Sequence, residues 1–295
     1  MDLTYNDYFT TSGQGRYNWK VHLKQCTQSP SSYYEECIRA AKIIGESTDP
    51  LYLMFSGGID GEFMLNIFKD AKVDFKVAII SYGVYNEHDT KYAFKYCNAH
   101  GITPEVIDLD LEKFITSGRM IEVAEEAKCC SYQMTSVMEG IKKIDGNVIM
   151  ANGEPQLNRM PNGTWEWEEM ERVSSYRNWY ALHNITGTPD FTKYTPEQFL
   201  SLLEEPLVKQ LVNNELDQEY QTTVAIKQQL YSQHYTIEPR YKFIGWERLE
   251  SSAFFEDNKV FESFAHLREM YSGAYVLDYN DVCQRLTKWQ REIRW

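Results

Sequence analysis

The first half of the chain alternates short apolar runs with amphipathic stretches. Leu51-Tyr52-Leu53-Met54-Phe55 is a continuous apolar run of strand length, the mark of a strand covered on both faces. Residues 77–80, 105–109 and 147–150 repeat the signal. Between these runs the apolar period lengthens to that of a helix. Residues 31–44 predict a helix capped by Ser31 or Ser32, with Ile38, Ala41 and Ile44 on one stripe. Residues 62–68 and 89–100 predict two more, the second ending at Gly101, and two helical stretches over 111–117 and 119–144 break at Gly118. Strands alternating with helices mean crossover units, so the expected class is α/β with a doubly wound, mainly parallel sheet. Ligands of such sheets bind beyond the carboxyl ends of the strands.

The pattern changes after about residue 155. Residues 158–171 are rich in Trp, Glu and Asn and read as a long loop. Helices are expected over 174–183, 196–215, 217–232, near 261–272 and over 279–292, with Pro196 behind Thr195 as a helix start. Residues 1–30 are polar and aromatic, broken by Ser12, Gly13, Gly15 and Pro30. The expected organisation is an irregular arm over 1–34, an α/β domain over 35–157 and a mostly helical substrate or cap region over 158–295.

Charge narrows the range of partners. With 30 Lys and Arg against 43 Asp and Glu in 295 residues, the net charge is −13, which opposes general nucleic-acid binding but not a local basic pocket for one nucleotide. The 21 Tyr and 7 Trp read as packing residues rather than a base-stacking surface. Six cysteines include no C-x-x-C pair, which opposes a four-Cys zinc site or a thioredoxin-type pair; vicinal Cys129-Cys130 read as packing thiols. No basic-then-apolar leader opens the chain and no window approaches about 18 apolar residues, so a cytoplasmic protein without a membrane span is expected.

The chemistry concentrates in Phe55-Ser56-Gly57-Gly58-Ile59-Asp60-Gly61, between the first apolar run and a helix. Adjacent glycines let backbone N–H groups approach a ligand, and with the helix N-terminus they make an anion site. Ser56 adds a hydroxyl, and Asp60 can cap the helix or face a magnesium ion. No G-K-[ST] follows, so this is not a Walker loop.

In this setting the segment resembles the S-G-G-x-D-S mark of the PP-loop ATP pyrophosphatase superfamily, over roughly residues 35–157. The resemblance implies a nucleotide-binding domain that splits ATP between the α and β phosphates and adenylates a substrate oxygen. By position, Ser56, Gly57, Gly58 and Asp60 would hold the pyrophosphate moiety. Gly61 departs from the pattern, which has a hydroxyl there. The family places adenine near the end of the second strand, here Ile80-Ser81-Tyr82-Gly83; Tyr82 would stack on the base or be a surface tyrosine. The turn Met150-Ala151-Asn152-Gly153-Glu154-Pro155-Gln156 is similar to the glycine–acidic turn of asparagine-synthetase-like members. Glu154 would then join Asp60 in binding magnesium or substrate, or be a plain turn residue before Pro155.

Absences narrow the branch. The four-Cys zinc of the queuosine-pathway branch, the paired cysteines of the tRNA-thiolating branch and the Glu-Cys-Gly setting of sulfonucleotide reductases are not matched; Cys283 lies in Asp281-Val282-Cys283-Gln284. With Asp2 as second residue and about 50 residues ahead of the loop, no built-in glutaminase is expected, so nitrogen would come from ammonia or an amine donor. A stand-alone ATP-dependent adenylating ligase remains, nearest the asparagine-synthetase synthase domain and similar in its compactness to members of viral and mobile genomes. Its substrate would be a small molecule or nucleobase. Candidates for the needed cation are Lys128, Arg159, Arg240 and Lys242, with the run Glu238–Glu247 favoured. A nucleotide-binding protein without turnover, a sulfonucleotide-reductase relative and an interaction protein are the rivals. The histidines at 88, 100, 183, 234 and 266 read as structural, and Glu166, Glu168, Glu169 and Glu171 as a solvated face or a recognition surface for an amine.

Overall fold

A computed structural model describes residues 8–152, 154–217 and 220–287. The N-terminal segment is not an irregular arm: β1 (Phe9–Ser12) and β2 (Lys20–Leu23) pair antiparallel. Phe9, Trp19 and Val21 are buried while Ser12 and Lys20 face solvent, so alternation decides the hairpin.

The expected strand–helix units follow. Helix α1 (Tyr33–Gly45) starts at Ser32, which with Glu35 forms a capping box. Strand β3 (Leu51–Met54) leads into α2 (Ile59–Asp70), and β4 (Lys76–Ser81) into α3 (Glu87–Ala99). Strand β5 (Glu105–Asp108) is followed by α4 (Leu111–Thr116), α5 (Arg119–Ala127) and α6 (Tyr132–Ile141), then by β6 (Asn147–Ile149). Gly118, at φ +81°, makes the expected break. The helix expected over 119–144 breaks a second time at Lys128, which is left-handed at φ +55°.

The segment read as a loop is a hairpin of β7 (Gln156–Arg159) and β8 (Trp165–Met170). Trp165, Trp167 and Glu169 point inward at period two. Helix α7 (Glu171–His183) then leads to the two-residue β9 (Gly187–Thr188). The stretch 196–215 splits at Pro206 into α8 (Pro196–Glu204) and α9 (Pro206–Val212), because proline cannot continue a helix with its missing N–H. Helix α10 (Thr223–Ser232) is followed by four short helices, α11 (Glu247–Glu250), α12 (Ala253–Asp257), α13 (Val260–Ser263) and α14 (Ala265–Tyr271). Strand β10 (Ala274–Asp278) and α15 (Tyr279–Leu286) complete the described chain; residues 288–292 of the expected last helix lie outside it.

Five strands form a parallel sheet in the order β5-β4-β3-β6-β9. Alternate strand residues feed two cores. Leu53, Val77, Ile79 and Ile149 pack toward α1 and α2, and Tyr52, Ala78, Ile80 and Val148 toward the helices between β5 and β6 and α7. The protein is therefore an α/β fold with helices on both faces of a central parallel sheet, as expected. The C-terminal half adds antiparallel structure as well as helices, since β10, β8 and β7 form a three-stranded sheet. The chain leaves β3 toward β4 and β5 and returns to β6 on the other side, so the topological switch lies between β3 and β6. Among the described residues no helix is long and apolar enough to cross a membrane.

Two residues of the acidic stretch, Glu169 and Glu171, are buried rather than on a solvated face, while Glu166 and Glu168 are half-buried. Glu169 pairs with Lys193 at 2.5 Å in the core, and Glu171 accepts the backbone N–H groups of Gly15 and Gly273. Lys193 also lies 4.2 Å from the Phe9 ring centroid. Lys193→Met leaves the Glu169 carboxylate buried and unpaired, and should destabilise the protein by about 3–5 kcal/mol. The double variant with Glu169→Leu should recover most of the loss in the same denaturant titration.

Candidate functional site

A cleft of about 510 Å³ opens beyond the carboxyl ends of β3, β4 and β6. Its wall includes the first turn of α2, the end of β4, the start of α3 and the irregular segment 239–245. This is the position the topology assigns to a ligand.

The loop that enters α2 is built around its glycines, each for a different reason. Gly57 is at φ +110°, and a Cβ there would meet the Asp89 carbonyl oxygen at 2.5 Å. The start of α3 therefore packs directly on the loop. Gly58 is the N-cap of α2, and no side chain caps the helix. A Cβ on Gly58 would meet nothing closer than Ser56 Oγ at 3.7 Å, so the helix mouth stays open. First-turn N–H groups lack intrahelical acceptors, and the helix dipole adds positive potential, so this mouth suits an anion. The exposed Ser56 hydroxyl has no hydrogen-bond partner among the described residues and lines the same cleft.

Asp60 and Glu154 come together, joined by a residue that sequence reasoning missed. Lys227 Nζ, from α10, donates to Asp60 Oδ2 at 2.7 Å and to Glu154 Oε2 at 2.6 Å. Tyr231, one turn further along the same helix face, donates to Asp60 Oδ1 at 2.7 Å and stacks on Phe63 at 4.2 Å between centroids. Burial works against the Lys227 charge, but Asp60 and Glu154 overcome it and hold the ammonium protonated. Two carboxylates share one ammonium, and burial with the surplus charge of Asp60 pushes the Glu154 carboxyl up. Glu154 lies outside the cleft lining and reaches it through Lys227.

A magnesium ion on Asp60 and Glu154 does not fit this arrangement. Both Asp60 oxygens are engaged, and the ammonium stands between the two carboxylates where the cation would go. Among the described residues no group of three or more His, Cys, Asp or Glu side chains is placed to hold a metal. Gly153, inside the turn that carries Glu154, lies outside the described residues.

The other candidates divide. Lys242 lines the cleft, is exposed, and has no ion pair among the described residues. Arg240 also lines it, but its guanidinium is paired with Glu62 and lies 4.9 Å from the Tyr92 ring centroid. Lys128 and Arg159 are not in the lining; one caps α5 and the other ends β7. Tyr82 is not a surface tyrosine: it is 7% exposed, donates or accepts with Ser136 Oγ at 2.7 Å, and forms part of the cleft wall. Ser81 is outside the lining, and its hydroxyl accepts the Gly83 N–H. Phe55 is buried and serves the cleft as a wall residue. No cysteine lines the cleft, and burial pushes the Cys129 thiol up to about 12.

Asp89, in the first turn of α3, was not anticipated. It lines the cleft, and burial with the nearby Glu247 pushes its carboxyl up to about 7 against the pull of Arg240. The fold and the cleft thus define an α/β protein with an anion-suited helix mouth at its switch point. No family model matches the chain, and no curated protein matches its sequence.

Gly61 has a packing reason. A Cβ there would meet Phe55 Cδ2 at 2.8 Å and Cε2 at 3.3 Å. Gly61→Ser should therefore destabilise the protein by about 1–3 kcal/mol, the range of an overpacked core, with no gain in nucleotide turnover. Denaturant titration and a nucleotide assay on the same sample check both. Lys227→Met should cost about 3–5 kcal/mol near pH 8, because two carboxylates then face each other. The deficit should shrink toward pH 5: the raised Glu154 carboxyl takes up a proton as pH falls and the repulsion is relieved.

Proposed function

We propose that the cleft binds ATP and that the protein transfers the adenylyl group to an oxygen of a small-molecule or nucleobase acceptor, releasing pyrophosphate. The observation that carries this is the open mouth of α2. Gly58 leaves its first N–H groups uncapped at the switch point, with the Ser56 hydroxyl beside them and the Lys242 ammonium in the same cleft. A polyphosphate needs several donors and a cation converging from one side, and a cleft of about 510 Å³ leaves room for a nucleoside behind it.

The chemistry is an in-line displacement. An acceptor oxygen bonds to the α-phosphorus, the bond from that phosphorus to the oxygen bridging to the β-phosphorus breaks, and pyrophosphate leaves with the electron pair. An amine or ammonia then displaces AMP where the product is an amide. The loop N–H groups, Ser56 and Lys242 neutralise charge on the phosphates, and positioning supplies much of the remainder. Arg240, fixed by Glu62 and Tyr92, shapes the wall. Asp60 and Glu154 hold Lys227 in this scheme, and magnesium enters as a companion of the phosphates rather than on that carboxylate pair.

Gly61 favours a second possibility, nucleotide binding without turnover, because the Phe55 ring excludes the hydroxyl that the resembling family carries there. Incubating α-labelled ATP with the protein, magnesium and a small-molecule extract separates the two. Labelled AMP or an adenylate with pyrophosphate is the expected result. Labelled ADP would sink the proposal in favour of kinase or ATPase chemistry. Unchanged ATP with saturable binding would favour the non-catalytic protein.

A further inference from the structure

Asp89 is the one acidic side chain of the cleft that no protein group satisfies among the described residues. It is 6% exposed, it lines the cleft, and its carboxyl has neither a hydrogen bond nor an ion pair there. The polar groups around it make their bonds elsewhere, and although Arg240 Nε and His88 Nδ1 are buried without a partner, neither bonds the Asp89 carboxyl. Asn86 accepts the Tyr82 N–H and donates to the Ile80 carbonyl. Arg240 is held by Glu62, and His88 bonds Glu247 at 3.0 Å. The Asp89 oxygens are not sealed in the core but open onto the cleft, and a largely buried carboxyl that faces a cleft without a protein donor is marked for a ligand.

The type of ligand group follows from charge and position. The start of α3 packs on Gly57, so Asp89 is within reach of a molecule seated on the loop. Its negative form repels phosphate, so its partner lies on another part of that molecule and must donate a hydrogen bond. On an adenine nucleotide the neutral polar donors are the ribose hydroxyls and the exocyclic amine. Carboxylates placed after the second strand of doubly wound sheets take ribose hydroxyls in this way. Resting on the nucleotide assignment above, we propose that Asp89 accepts a hydrogen bond from a hydroxyl or amino group of the bound nucleoside, and so sets which nucleotide the cleft selects. Burial and Glu247 push the free carboxyl up, Arg240 draws it down, and a donor on its ionised form would draw it down further.

The test couples stability with affinity. Asp89→Leu and the isosteric Asp89→Asn are melted without nucleotide, then titrated calorimetrically with ATP, inosine triphosphate and the 2′- and 3′-deoxy forms of ATP. A ligand-binding Asp89 predicts that both variants melt at or above the wild type, since a poorly solvated carboxyl with no protein donor is gone. The dissociation constant for ATP should rise about tenfold or more in Asp89→Leu, the effect of losing a hydrogen bond to a charged group, and less in Asp89→Asn. In the wild type the analogue lacking the donor should bind more weakly, inosine triphosphate if the donor is the amine and a deoxy form if it is a ribose hydroxyl. That discrimination should vanish in Asp89→Leu. ATP binding by Asp89→Leu as tight as the wild type would overturn the proposal. So would both variants melting well below the wild type, which would make Asp89 a structural residue. A wild type that binds no nucleotide would overturn the nucleotide assignment itself, and this proposal with it.

Discussion

The bridge from Lys227 to Asp60 and Glu154 is the constraint on which the site depends. Its ammonium lies 167 positions from Asp60 in sequence, yet it fixes the first turn of α2 from one side and the turn after β6 from the other. Tyr231 and its stack on Phe63 repeat the connection one helical turn away. The loop is therefore held in shape by the second half of the chain. In a poorly solvated position, one cation between two anions is strongly attractive, whereas either carboxylate alone would bear the full penalty of burial. The arrangement also leaves a residual negative charge beside a mouth suited to anions, and the unpaired Lys242 in the cleft wall offsets it.

The loop shows how three glycines of one motif answer three different demands. Gly57 yields to the carbonyl of α3, Gly61 to the ring of Phe55, and Gly58 alone leaves open space toward the cleft. The departure at Gly61 is thus coupled to the choice of Phe55 as the residue leaving β3.

The parallel sheet was legible because its strands are buried on both faces, so Leu51 to Phe55 and its counterparts are apolar without interruption. The β8 strand was not, because two of its three inward positions are tryptophan and the third is Glu169, whose partner Lys193 is distant in sequence. A period of two was present in Trp165, Trp167 and Glu169, but composition masked it. Two-residue β9 carries no periodic signal at all. In the cleft, the loop and the pair Arg240 and Lys242 were found from local cues: glycines after an apolar run, and cations near a proline. Lys227 and Asp89 were not, since each looks like an ordinary polar residue of a helix until the fold sets it against its surroundings.

Both margins of the parallel sheet are short. At one end β9 offers two residues, and both are buried. At the other, β5 has four, with Glu105 at its start and Asp108 at its end. An exposed strand margin is a template on which another chain can add by backbone pairing. Here one margin is too brief and covered, and the other is bounded by like charges that a second copy of the same segment would have to bring together in parallel register. Shortness at one margin and acidic ends at the other thus disfavour the addition of a further strand to the sheet that presents the cleft.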